Sequence, residues 1–277
     1  MNPLDRLSSW PVPNAAAAVV GPDGVLATAG DVALRFRLAS VTKPLAALAT
    51  LIAVEEEAVS LDQPLPDPAL AAELPGATLA HLLAHASGIA PDRRQRTAAP
   101  GTRRIYSNAG YDLIGEIVAG ATDIAFADYL AAAVFRPLGM STSSLEGSPA
   151  SHGWGSVTDL AALLSELLTP TGLLHPSTVR AATTVAFPGL RGVLPGYGSQ
   201  DPNDWGLGFE LRGGKNPHWT SPRNSAATFG HFGRSGTMIW IDPQARLGLV
   251  ALADRDFDDW AAQAWPVLSD AVLDAFG

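Results

Sequence analysis

Strand-like segments lie at both ends of the chain, and helix-like segments lie between them. Residues 15–20 and 25–29 are short apolar runs joined by Pro22-Asp23-Gly24, which predicts a β-hairpin with a tight turn. Towards the other end, WGLGFELRGG, GTMIWIDP and RLGLVALAD predict three more strands, the last two joined through Asp242-Pro243-Gln244-Ala245. We therefore expect one antiparallel sheet assembled from both ends of the chain.

The middle of the chain has the spacing of short helices separated by Pro- and Gly-rich loops. Helices are predicted for LAHLLAHAS, GYDLIGEIVAGAT, FADYLAAAVFRPLG, VTDLAALLSELL and the C-terminal DDWAAQAWPVLSDAVLDAF. The expected fold is α/β of the α+β type, a single domain over residues 1–277 in which N- and C-terminal helices flank the sheet and a mostly helical lobe is inserted. The α/β lobe is expected at about 1–61 and 201–277, and the helical lobe at about 62–200.

Composition excludes several classes of function. The net charge is −9 and no run of Lys or Arg exceeds two, so we expect no nucleic-acid partner. Cysteine is absent, which removes thiolate catalysis and the usual structural zinc sites. No apolar run reaches the ~18 residues of a membrane span. The N-terminal segment lacks a basic stretch followed by a long apolar one, so the protein is predicted to be cytoplasmic, without a membrane partner.

Ser40 and Lys43 lie three residues apart where an apolar helix begins. Pro44 places the first turn of that helix at about residues 40–44. The helix then follows the spacing i, i+3, i+4, i+7 through Leu45, Leu48, Ala49 and Ile52. The amine can therefore reach the hydroxyl. A serine needs a neighbouring base, and a lysine acts as one only if burial lowers its pKa. Alone, the pair is more typical of a helix N-cap beside a solvated lysine.

Two further segments favour a catalytic interpretation of Ser40 and Lys43. YSNAGYDLIG contains Tyr106-Ser107-Asn108, and GHFGRSGT contains His231-Phe232-Gly233. In this order the three motifs resemble the serine β-lactamase and penicillin-binding-protein superfamily. Tyr-x-Asn and His-x-Gly are similar to its branch of class C β-lactamases, D-alanyl-D-alanine carboxypeptidases and family VIII esterases. The resemblance extends from about Ala15 to Asp254.

The resemblance implies serine acyl transfer. Ser40 is the expected nucleophile, and Lys43 and Tyr106 share the transfer of its proton, with the resting base left open between them. Substrate-binding or orienting roles are implied for Asn108, His231 and Gly233, with His231 on the edge strand. The backbone amides of Ser40 and Arg234 are the implied oxyanion hole.

The third motif departs from its relatives. Phe232 stands where a hydroxyl residue is common, which removes one hydrogen bond to a substrate carboxylate. Arg234-Ser235-Gly236 offers an alternative frame with a cation, a hydroxyl and a glycine. The pattern H-x-G-x-x-G-T favours His231-Phe232-Gly233.

The remaining histidines and tryptophans have weaker patterns. His81 and His85 are spaced i, i+4 but have no glutamate between them and no third ligand nearby, so no metal or other cofactor is expected. His152, His175 and His218 lie in loop-like segments. Trp154, Trp205 and Trp219 are candidates to line an acyl pocket or to lie in the core.

The sequence thus predicts a serine hydrolase that acts on a small ester, amide or β-lactam. An esterase is favoured because no export signal is seen, because Phe232 removes a carboxylate contact, and because esters are easier to cleave than amides. A β-lactamase or a D-alanyl-D-alanine carboxypeptidase is the alternative. A non-catalytic binding module on the same fold is the second alternative. The oligomeric state is left open.

Overall fold

The central sheet is built from both ends of the chain, as the sequence predicts. The computed structural model describes residues 2–277. Six antiparallel strands lie in the order β2-β1-β11-β10-β9-β8, where the strands are β1 (Ala15–Gly21), β2 (Gly24–Ala29), β8 (Glu210–Leu211), β9 (Phe229–Gly233), β10 (Thr237–Asp242) and β11 (Leu247–Ala253). Two small sheets contain β3 (Phe36–Arg37), β4 (Ser144–Leu145), β5 (Gly153–Gly155), β6 (Gly192–Leu194) and β7 (Gly198–Gln200).

Helices surround this sheet. They are α1 (Thr42–Glu55), α2 (Pro68–Glu73), α3 (Leu79–Leu83), α4 (Asn108–Thr122), α5 (Phe126–Leu130), α6 (Val157–Leu168), α7 (Pro176–Ala182) and α8 (Asp259–Phe276). Short 3-10 turns span Pro3–Ser9 and Ala39–Val41, and a π turn spans Ala131–Phe135. None of the helices described over residues 2–277 has the length and apolar composition to span a bilayer by itself. Only the bent pair Asn108–Thr122 and Phe126–Phe135, taken together, reaches both, with an 84° angle between the two helices.

The sheet is covered on both faces because successive side chains of a strand point to opposite sides. Ala16, Ala18 and Val20 of β1 join the larger core cluster with residues of α1 and α6. Ala17 and Val19 join the second cluster with residues of α8 and the N-terminal 3-10 turn. The expected antiparallel sheet between terminal helices, with a mostly helical insertion, is confirmed. The lobe bounds stay a prediction, and α6, from within the predicted helical lobe, packs against β1 and β11.

Three predicted elements differ from those observed. The helix predicted over LAHLLAHAS ends at Leu83, because His85 adopts a left-handed backbone with φ 54°. The strand predicted over 205–214 shrinks to β8. Gly208, with φ 99°, packs against Ala47 of α1 and interrupts the extended run. Finally, β9 is not the edge strand, since β8 pairs with its first two residues, Phe229 and Gly230.

Candidate active site

The predicted site residues converge around one cavity of about 250 Å³. It is lined by Ser40, Tyr106, Asn108, His231 and Arg234, together with Pro91, Asp92, Leu194, Pro195, Trp205, Glu210 and Phe232. Lys43 lies behind Ser40 and is fully buried. Segments that are far apart in the sequence therefore meet at the N-terminal end of α1.

The Ser40 hydroxyl and the Lys43 amine are brought together by the start of α1. Ser40 lies in the 3-10 turn that precedes the helix, and Lys43 lies in its first turn. Lys43 Nζ is 3.4 Å from Ser40 Oγ. The preceding residue, Ala39, has φ 45°, a left-handed conformation that is costly for a residue with a side chain. The chain thus turns sharply just before Ser40.

Lys43 has two fixed acceptors besides Ser40. Its Nζ donates to Asn108 Oδ1 at 2.7 Å and to the backbone oxygen of Ala150 at 2.9 Å. These two bonds use two of the amine hydrogens, so the remaining position on nitrogen faces Ser40. Burial lowers the pKa of Lys43 to about 7, and the charges of Asp112 and Asp92 partly oppose that shift. In the neutral amine the position facing Ser40 is the lone pair, which can accept its proton.

Tyr106 packs beside the lysine. Its ring centroid is 4.5 Å from Lys43 Nζ and 4.6 Å from the ring of His85. Burial raises the pKa of the Tyr106 phenol well above its usual range, and hydrogen bonding to the Ser40 side chain acts in the opposite direction. Tyr106 is therefore a neutral phenol at ordinary pH, which can relay a proton only by donating its own as it accepts another.

His231 lines the cavity with an uncharged ring whose Nε2 is a hydrogen-bond acceptor. Its Nδ1 donates to the backbone oxygen of Phe232 at 2.7 Å, which leaves the lone pair of the neutral ring on Nε2. Nε2 is buried and has no hydrogen-bond partner among residues 2–277. Burial, helped by the charge of Lys43, lowers the pKa of His231 to about 3. The imidazole is thus uncharged, and its Nε2 can accept a hydrogen bond but cannot donate one.

Gly233 allows β9 to approach the turn that carries Ser40. A Cβ at this position would lie 2.3 Å from the backbone oxygen of Leu38 and 2.4 Å from Thr237 Oγ1, so only glycine fits. This contact brings Arg234, the next residue, to the same cavity as Ser40. The backbone amides predicted to form an oxyanion hole therefore belong to two segments in contact.

The alternative third motif points elsewhere. Ser235 Oγ donates to the backbone oxygen of Arg37 at 2.5 Å. Ser235 lines a different depression, together with Arg37 and Trp154. Of the residues Arg234-Ser235-Gly236, only Arg234 lines the cavity beside Ser40.

Four residues in or near the site were not predicted from the sequence, namely Asp92, Arg104, Asp112 and Glu210. Arg104 is buried and donates to four backbone oxygens, those of Asn203, Ala84, Ala186 and Phe187. Glu210 accepts from Lys215, His218 and Trp219 in the wall of the cavity. Asp112 follows Asn108 by four residues on α4, so helical spacing was an available signal for it. Asp92 lies in a loop and gave no such signal.

The other candidate residues are placed as follows. Of the three candidate tryptophans, Trp205 lines the cavity, whereas Trp154 and Trp219 lie outside its lining. His81 stacks on Phe187 at 4.2 Å, and His85 lies beyond the end of α3 and packs on Tyr106. His218, which was predicted to lie in a loop-like segment, bonds to Glu210. Within residues 2–277 no three His, Asp or Glu side chains are grouped as metal ligands would be.

Comparison with known proteins identifies the family. The model of the family described as Beta-lactamase matches residues 10–272. The chain belongs to the β-lactamase family. No curated protein matches the chain. Family and fold together make this chain a serine hydrolase of the β-lactamase fold.

Solved structures support the same placement. A crystal structure described as a β-lactamase, Mb2281c from Mycobacterium bovis, is 54% identical with a TM-score of 0.95, covering 99% of each chain. EstCE1, described as a hydrolase with promiscuous acyltransferase activity, is 18% identical with a TM-score of 0.81, covering 98% of this chain and 96% of its own. Simvastatin synthase LovD from Aspergillus terreus is 17% identical with a TM-score of 0.81, covering 100% and 99%. The last two are similar in fold alone.

Proposed function

We propose that this β-lactamase family member cleaves small esters through an acyl-enzyme on Ser40. The observation that carries the proposal is the placement of Lys43 Nζ, which is 3.4 Å from Ser40 Oγ while Asn108 and Ala150 hold its other hydrogens. A buried amine with a pKa of about 7 is neutral in a large fraction of molecules at neutral pH. It is therefore suited to accept a serine proton.

In the proposed reaction, Ser40 Oγ forms a bond to the ester carbonyl carbon while its proton moves to Lys43. The backbone amides of Ser40 and Arg234 donate to the resulting oxyanion, an interaction worth about 3 kcal/mol per donor in other hydrolases. The bond to the leaving alkoxide then breaks, and the alkoxide receives the proton from Lys43 by way of the Tyr106 hydroxyl. Water then attacks the acyl carbon and passes one proton through the Tyr106 hydroxyl to Lys43. The bond between the acyl carbon and Ser40 Oγ breaks, Oγ takes that proton back from Lys43, and the acid is released.

Lys43 is the resting base in this proposal, and Tyr106 passes the proton on. The reason is electrostatic, since burial lowers the pKa of the amine but raises that of the phenol. The neighbouring charges of Glu210 and Asp92 also disfavour a phenolate at Tyr106. A neutral phenol in contact with both Ser40 and Lys43 is able to pass a proton to a leaving group.

The cavity wall supports a preference for esters without a carboxylate. His231 is uncharged and presents an acceptor, so it repels rather than binds a carboxylate oxygen. Phe232 supplies no hydroxyl. Leu194, Pro195 and Trp205 make the rest of the wall largely apolar, which suits a small acyl chain.

A β-lactamase is the second candidate. Two observations favour it, namely the 54% identity to a protein described as a β-lactamase and the exposed Arg234 guanidinium at the edge of the cavity. That cation can pair with the carboxylate of a β-lactam.

The test compares p-nitrophenyl acetate and butyrate with nitrocefin, using wild type and Ser40→Ala. Ester turnover without nitrocefin turnover, lost in Ser40→Ala, supports the esterase. The reverse substrate preference supports the β-lactamase. A folded wild type that turns over none of the three contradicts both and favours a binding module.

A further inference from the structure

Two aspartates lie behind the two acceptors that hold Lys43. Asp92 Oδ1 accepts from Asn108 Nδ2 at 2.8 Å, and Asn108 Oδ1 in turn accepts from Lys43. On the other side, Asp112 accepts from Ser148 Oγ, and the same Ser148 oxygen accepts from the backbone amide of Ala150 at 3.1 Å. Each acceptor of the lysine is thus tied to its own carboxylate.

We propose that Asp92 and Asp112 are positioning residues that fix Asn108 and Ala150 so that the free position of the Lys43 amine faces Ser40. This inference rests on the proposed function, because it assigns a role in activating Ser40. Neither aspartate is one of the residues of Ser-x-x-Lys, Tyr-x-Asn or His-x-Gly, although Asp112 follows Asn108 in the segment of the second motif.

The hydrogen-bonding direction of Asp92 supports this role. A carboxylate only accepts, so it requires the amide NH₂ of Asn108 to face it, and the amide oxygen of Asn108 must then face Lys43. With the amide reversed, Asn108 would present donors to the amine and the 2.7 Å bond would be lost. Asp92 thereby orients the Asn108 amide so that its oxygen, and not its NH₂ group, faces Lys43.

Asp112 acts through the loop before β5. Its bond with Ser148 holds the turn in which the Ala150 amide bonds to Ser148 Oγ, and the Ala150 oxygen of this turn accepts from Lys43. Asn108 and Asp112 are four residues apart on α4 and lie on one face of that helix. The first two turns of α4 therefore support both acceptors of the amine.

The two carboxylates also affect the charge of Lys43. The groups that face the amine are Asp92, Tyr106, Asp112, Tyr111, His85 and His231. Of these, the two aspartates favour the ammonium, whereas burial opposes it. Removing one negative charge must therefore make the amine lose its proton at lower pH.

The test measures the rate at which a fluorophosphonate labels Ser40 between pH 5 and pH 9, followed by intact mass. Labelling forms the Oγ–P bond, expels fluoride and passes the serine proton to the amine, so it needs no knowledge of the natural substrate. The variants are Asp92→Asn and Asp112→Asn, which keep an acceptor oxygen but lose the charge, and Ser148→Ala, which keeps the charge but breaks the link. Asp23→Asn, in the exposed turn between β1 and β2, is the matched control.

Wild type and Asp23→Asn are expected to share a midpoint near pH 7. Asp92→Asn and Asp112→Asn should shift the midpoint down by roughly 0.5 pH unit, as removal of a nearby charge requires. Ser148→Ala should keep the midpoint but label roughly 10-fold more slowly at high pH, because a displaced catalytic group loses rate.

Unchanged midpoints in both aspartate variants, or an unchanged rate in Ser148→Ala, would overturn the inference. Asp92 is exposed, so Asp92→Asn remains a valid test even if circular dichroism shows that Asp112→Asn does not fold. A folded wild type that is never labelled overturns the proposed function itself. A labelled wild type with unmoved variants overturns only the roles of the two aspartates.

Discussion

Lys43 Nζ donates to Asn108 Oδ1 at 2.7 Å, across 65 residues of sequence. The bond joins the first turn of α1 to the first residue of α4 and orients the amine towards Ser40. The Asn108 amide oxygen accepts a hydrogen from Lys43 without carrying a negative charge. It therefore holds the amine in place while burial still lowers the pKa of Lys43.

Replacing the Asn108 amide with a carboxylate should raise the pKa of Lys43, against the effect of burial. In Asn108→Asp the new charge favours the ammonium, so the pH at which half of the maximal Ser40 acylation rate is reached should rise by about 1 unit or more. The pH profile of ester turnover at low substrate concentration measures this shift. Asn2→Asp, which keeps a capping oxygen for the N-terminal turn, is the control and should leave the profile unchanged. A profile of Asn108→Asp that moves to lower pH would contradict the role of Lys43 as base.

The close contact of Gly233 with the Ser40 turn predicts a second effect. A Cβ in Gly233→Ala would lie 2.3 Å from Leu38 O, so β9 and the turn must separate, which costs about 1–3 kcal/mol of unfolding free energy. Ester turnover should fall because Arg234 moves with β9. Gly214→Ala, where a Cβ would meet nothing within 4 Å, is the control. Denaturant unfolding and steady-state kinetics provide both readouts, and equal stability of the two variants would show that the contact is unimportant.

His231 predicts how substrate preference can be changed. His231→Lys places a donor cation where the native ring presents an acceptor, so acylation by nitrocefin should rise roughly tenfold relative to acylation by p-nitrophenyl butyrate. His231→Asn, which adds no charge, serves as the comparison. Stopped-flow acylation rates give the ratio, and the same ratio in both variants and wild type would mean that His231 does not set the preference.

The Glu210 carboxylate predicts a stability effect in the cavity wall. Burial raises its pKa, but the charge of Lys215 and the bonds from His218 and Trp219 outweigh burial and lower it. A carboxyl group with a lowered pKa in the folded protein contributes stability above its unfolded pKa, and this contribution is lost as pH falls through the folded value. Acid should therefore destabilise wild type more than Glu210→Gln.

At neutral pH, Glu210→Gln leaves the Lys215 ammonium buried without its partner, which should cost about 3–5 kcal/mol. Denaturant unfolding at neutral and acidic pH measures both effects. Glu146→Gln, in the exposed ion pair with Arg35, should leave the unfolding free energy nearly unchanged. Equal effects of the two substitutions would show that the buried pair contributes no more than an exposed one.

Local sequence patterns correctly predicted the elements that depend only on neighbouring residues, such as a single helix or a tight turn. The spacing of Ser40 and Lys43 follows from one helix, and the hairpin of β1 and β2 from one Pro-Asp-Gly turn. The helix predicted from Leu79 was too long, because the apolar spacing continues past His85. In the structure, His85 has a left-handed backbone, and its Nδ1 accepts a hydrogen bond from the Ser107 amide. That bond joins residues 22 positions apart, and no local pattern reports it.

In the site, too, the residues that were missed are those whose role depends on contacts that no local sequence pattern reports. Asp92 was missed because its importance lies in one bond to Asn108, and its loop has no periodic pattern. Glu210 was missed because its partners Lys215 and His218 lie in an irregular segment after the predicted strand, where no periodic pattern indicates a contact. The motif residues were found because a resemblance pointed to them, and physical spacing alone would have supplied only Ser40 and Lys43.

The most direct measurement is the intact mass of wild type and Ser40→Ala after brief exposure to p-nitrophenyl butyrate and acid quenching, with peptide mapping of any adduct. The account predicts a single butyryl group on Ser40 in wild type and none in Ser40→Ala. A folded wild type that releases p-nitrophenol while its acyl group maps to another residue, or an equal adduct on Ser40→Ala, would contradict it.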